Sequence, residues 1–92
     1  MSDKKVQVTI GSSISVDPQS IQVKKNQEKV TWVNDAGTEF SIAIEGHDAP
    51  SCQLQGKKYV CVSKEFAADG VYKYSVSSPG KPVLDPEIEV IP

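Results

Sequence analysis

Apolar and polar residues alternate at period two along almost the whole chain, and no segment sustains the i, i+3, i+4, i+7 spacing of a helix. Val6, Val8 and Ile10 share one face of a first predicted strand, with Gln7 and Thr9 opposite. Gly11-Ser12-Ser13 breaks it, and Ile14 and Val16 form a short alternating piece. Asp17-Pro18 ends that piece, because proline lacks an amide donor and restricts the residue before it. Ile21 and Val23 resume the alternation before Lys24-Lys25-Asn26-Gln27-Glu28, which reads as an exposed polar turn.

The stretch from Lys29 to Ile44 reads as the organising hairpin, two strands joined by a polar turn. Val30 and Trp32 point one way, and Phe40, Ile42 and Ile44 share a face after Asn34-Asp35-Ala36-Gly37. The alternation with Val30 makes the only tryptophan a core residue. Residues Gly46 to Ser51 are loop. Between Cys52 and Cys61, a two-residue corner at Gly56-Lys57 pairs Gln55 with Lys58, Leu54 with Tyr59, Gln53 with Val60, and Cys52 with Cys61. The cysteines then fall on a non-hydrogen-bonded pair, where Cα atoms come within the reach of a disulfide. Tyr59 shares their face.

Ser63 to Phe66 fits either a short strand or one helical turn, and Asp69-Gly70 carries a hairpin signal. Val71 to Val76 is a strand with Tyr72, Tyr74 and Val76 on one face. Ser77 to Pro86 holds three prolines and a glycine and must be loop. Ile88 and Val90 mark a final strand. About seven short strands at this spacing predict an all-β, two-sheet antiparallel sandwich.

Length makes residues 1–92 a single domain, since a chain of this size buries roughly 60–65% of its unfolded surface. Composition, 38% apolar and 24% charged, is that of an ordinary globular domain. A net charge of −2 and scattered lysines supply no field for nucleic acid or an anionic membrane. No apolar run reaches the ~18–20 residues of a membrane span, which predicts no membrane insertion. The N-terminus has no signal-peptide h-region; a cytoplasmic protein fits, as does a periplasmic or extracellular one whose leader has been removed.

The order of several motifs resembles the cupredoxins: Val16-Asp17-Pro18 then Ile21-Gln22-Val23, the strand Val30-Thr31-Trp32-Val33-Asn34, the Asn34-Asp35-Ala36-Gly37 turn, then Gly70-Val71-Tyr72-Lys73-Tyr74 and Ser77-Ser78-Pro79. The resemblance runs over most of the chain and is weakest between Gly46 and Phe66. It implies a Greek-key β-sandwich. In copper-binding cupredoxins a histidine follows the asparagine turn, and a cysteine, a histidine and usually a methionine surround the loop before the last strand. Laid on this chain, the pattern puts those positions at Phe40, Val76, Pro79 and Leu84, none of which can bind copper. From Val71 to Pro92 there is no Cys, His or Met. The resemblance therefore implies a pocket filled with core, no cofactor, and no electron transfer by that route.

One other cluster has metal-binding chemistry. His47, Cys52 and Cys61, with Glu45 and Asp48 near in sequence, offer one imidazole and two thiols to a zinc or a redox function, although Cys-x8-Cys matches no metal motif. The alternatives are a structural disulfide beside a solvent-exposed loop histidine, or two reduced structural thiols. Catalysis has little to work with: no GxSxG elbow, no phosphate loop, and carboxylates that alternate outward. The expectation is a non-catalytic, copper-free binding module. A protein partner would use the end loops 34–39, 46–51 and 77–86 or the strand edges.

Overall fold

The computed structural model describes residues 4–92. Nine strands form: β1 (Lys4–Ile10), β2 (Ile14–Asp17), β3 (Ser20–Lys24), β4 (Val30–Asn34), β5 (Ser41–Ile44), β6 (Ser51–Gln55), β7 (Lys58–Val62), β8 (Gly70–Ser77) and β9 (Glu87–Ile91). They build a five-stranded sheet, β2-β1-β4-β7-β6, and a four-stranded sheet, β3-β9-β8-β5. No helix occurs among the described residues.

The alternation seen in the sequence is the burial pattern. Val6, Val8, Ile14, Val16, Val30, Trp32 and Cys61 come from the larger sheet. Ile21, Val23, Ile42, Ile44, Tyr74, Val76, Ile88 and Val90 come from the smaller one, and together with Phe40 and Phe66 they form one continuous core. Trp32 is fully buried and meets Tyr74 edge-on at 5.3 Å between ring centroids. That contact staples the two sheets at their middle.

Several expectations about the strands and their connections change. Both sheets are mixed rather than antiparallel, because β1 pairs parallel with β4 and β3 parallel with β9. The strands number nine rather than seven because the pieces on either side of Pro18 each pair as strands, β2 in one sheet and β3 in the other. The stretch from Lys29 to Ile44 is not a hairpin: β4 pairs with β1 and β7, whereas β5 pairs with β8 across the core. Asp69-Gly70 likewise makes no hairpin, since Gly70 begins β8 in the opposite sheet from β7. Residues 63–66 form neither strand nor helix, and Phe66 is plugged into the core from that irregular segment.

Not every carboxylate faces water. Glu28, expected in an exposed turn, is buried; its Oε1 accepts a hydrogen bond from the Lys24 amide at 2.8 Å and closes the β3–β4 connection. The pairings place loops 34–40 and 77–86 and the β6–β7 turn at one end of the sandwich. Loop 46–50 and segment 63–69 lie at the other.

Candidate functional site

The end carrying loops 34–40 and 77–86 is built around Asn34. Its side chain is buried; Nδ2 donates to the Val8 carbonyl at 3.0 Å, and Oδ1 accepts from the amides of Ala36 and Thr38, both at 3.0 Å. One residue thus anchors the turn to β1 and shapes it. Gly37, at φ 74°, lets the turn lie against the β6–β7 corner, where a Cβ would sit 2.9 Å from the Lys57 carbonyl oxygen. Lys58 and Asp35 add an exposed ion pair at 3.5 Å. Ser78 then ties the second loop to the first, its hydroxyl donating to the Glu39 carbonyl at 2.8 Å.

Between these loops lies an open cleft of about 470 Å³ lined by Phe40, Ser41, Cys52, Tyr59, Ser77 and Pro79, with Glu39 and Ser78 at its margin. Phe40 is buried and forms the floor, with the Tyr59 ring edge-on to it at 5.3 Å. Tyr59, half-buried, is the wall.

Of the four positions discussed for copper, Phe40 and Pro79 border this cleft. Val76 is fully buried, and Leu84 bridges it through reciprocal backbone hydrogen bonds of 2.9 and 3.0 Å. They gather at one end, but phenyl, isopropyl, pyrrolidine and isobutyl groups hold no donor atom for a metal. The residues do not fit a copper ion.

Cys52 and Cys61 are joined in a disulfide, S–S 2.01 Å and Cα–Cα 4.0 Å, in the register expected from the sequence. His47 does not join them in a metal-holding group, and no such group of three His, Cys, Asp or Glu occurs among the described residues. Nor is it a freely solvated loop residue. It is half-buried, stacked on Phe66 at 4.1 Å with an 18° interplanar angle, its Nε2 3.2 Å from the Lys64 carbonyl oxygen. Tyr72 packs against Phe66 at 5.1 Å and completes this aromatic patch at the end opposite the cleft. The isolated Phe66 in a polar segment is the signal that marks it in the sequence.

The loops expected to form one rim divide accordingly. Loops 34–39 and 77–86 share the cleft, and loop 46–51 borders the His47 end instead. Burial pushes the Tyr74 hydroxyl above its ordinary pKa, and the neighbouring Trp32 indole pulls the other way. Neither Trp32 Nε1 nor the Tyr74 hydroxyl has a hydrogen-bond partner of ordinary geometry. No protein-family model matches the chain, and no curated protein is significantly similar to it.

Proposed function

We propose that the protein is a non-catalytic, copper-free relative of the cupredoxin sandwich that works as a binding module, taking a protein segment at the Phe40–Tyr59 cleft. One observation carries this reading: the end where the family pattern would require metal ligands offers an open, aromatic-floored cleft bordered by Phe40 and Pro79, two of the four ligand positions, neither of which carries a side-chain donor atom. An apolar floor with hydroxyls of Ser41 and Ser77 at its edge suits an inserted apolar or aromatic side chain whose backbone stays solvated. The Ser41 and Ser77 hydroxyls already contact each other at 2.8 Å, so they form a fixed polar lip.

Two-dimensional NMR of the isotopically labelled protein against peptides carrying a central Phe, Tyr, Trp or Leu tests this. The predicted result is shift changes clustered on Ser41, Tyr59 and Ser77 for at least one peptide, weakened about tenfold by Tyr59→Ala, the usual effect of removing an aromatic anchor. Peptides that leave the cleft resonances unmoved, or that bind equally well without the Tyr59 ring, would refute it.

A further inference from the structure

A two-sheet sandwich has four strand edges, and here they differ in what guards them. β2 carries Asp17 and β3 carries Lys24 on the strand itself, and charge on an edge strand opposes pairing with another chain. β5 and β6 carry none. β5 is bracketed by Glu39 and Glu45, so two antiparallel copies would set carboxylates against carboxylates. β6 is bracketed by Asp48 on one side and Lys57 on the other, the arrangement that an antiparallel pair of identical strands makes complementary.

The geometry of β6 favours the same pairing. The 4.0 Å Cα separation of Cys52 and Cys61 is the close spacing of a non-hydrogen-bonded pair, and Leu54↔Tyr59, two residues along, is of the same kind. The N–H and C=O groups of Cys52 and Leu54 therefore point away from β7, along the open edge. Gln53 and its neighbours Ser51 and Gln55 are exposed on the outer face. Leu54 is 61% exposed, one of the few large apolar side chains left in solvent.

We infer that β6 is a self-pairing edge: two copies of the chain join antiparallel about a two-fold axis through Gln53, making one continuous sheet. In this register Cys52 of each copy exchanges backbone hydrogen bonds with Leu54 of the other, using the groups that β7 leaves free. Each Leu54 is covered by the opposite Cys52, and Gln53 faces its own counterpart. Lys57 comes level with Asp48 and Ala49 of the second copy, where it joins the existing pair of Asp48 with Lys64 at 3.3 Å. The pairing uses the backbone edge and, of the residues lining the cleft, touches Cys52 but neither Phe40 nor Tyr59, so it goes beyond the binding reading and does not depend on it.

Sedimentation velocity over a concentration series distinguishes this register from any other. Wild type is expected to dimerise reversibly. Gln53→Lys and Gln53→Glu each set like charges face to face on the axis, weakening self-association about five- to tenfold, and an equimolar mixture of the two recovers it as a heterodimer. Leu54→Pro deletes an outward N–H and none that serves β7, so it too weakens the dimer in a folded protein. A wild type that stays monomeric to its solubility limit would overturn the inference. So would a dimer indifferent to these changes, or a charged pair whose mixture associates no better than its members.

Discussion

Two buried polar residues show how single side chains decide the architecture. Asn34 holds three backbone groups from inside the protein, so Asn34→Ala leaves them unpaired and is predicted to cost about 2–4 kcal/mol by chemical denaturation. Asn34→Asp keeps the acceptors but sets a carboxylate against the Val8 carbonyl, and is expected to destabilise as well. The sequence marked this residue as the end of a strand and the start of a turn. It could not show that the side chain reaches back to β1, because that contact spans 26 residues. Tyr74 presents the opposite case, a buried hydroxyl without a hydrogen-bond partner. Its raised pKa means the folded protein holds the proton more tightly than the unfolded chain. The resulting stability is whole below pH 10, the ordinary tyrosine value, and declines as pH rises beyond it. Tyr74→Phe is predicted to be neutral or stabilising by up to about 1 kcal/mol and to flatten that alkaline decline, as urea titrations at successive pH values would record.

The β6–β7 hairpin was the element most legible in the sequence, because a two-residue corner fixes every pair that follows it. All of its expected pairs form, including the disulfide. The bond closes a separation of nine residues, so chain entropy puts its contribution at about 2.5 kcal/mol. Cys52→Ser/Cys61→Ser is expected to lower the unfolding free energy measured by urea titration by that much while leaving circular dichroism at room temperature unchanged. The stretch from Lys29 to Ile44 misled for the same physical reason that the hairpin did not. Its turn tolerates either a reversal within a sheet or a passage across the core, and period-two alternation is the same in both. Asp69-Gly70 failed as a hairpin signal likewise, since Phe66 in the preceding segment packs into the core and β8 then starts in the opposite sheet.

At the scale of the whole molecule, the fold class and the core were written in the alternation, and the pairing order was not. The parallel pairs β1–β4 and β3–β9 join residues far apart in sequence, and no local pattern distinguishes a parallel partner from an antiparallel one. The candidate site was half legible. Phe40, Val76, Pro79 and Leu84 were found through the resemblance and do gather at one end, but the cleft beside them depends on Tyr59 and Ser78, whose positions come from long-range packing. For His47 the sequence offers a metal ligand or a solvated loop residue, because its stacking on Phe66 requires the 63–69 segment to fold back. These placements lead to the central claim, that this end of the sandwich is an apolar recognition site rather than a metal centre. Titration of the oxidised protein with Cu(I) and Cu(II), followed by calorimetry and optical spectroscopy, tests it most directly. The account predicts no stoichiometric tight binding and no thiolate charge-transfer band. Tight one-to-one binding that shifts the NMR resonances of Phe40, Val76 or Leu84 would contradict it.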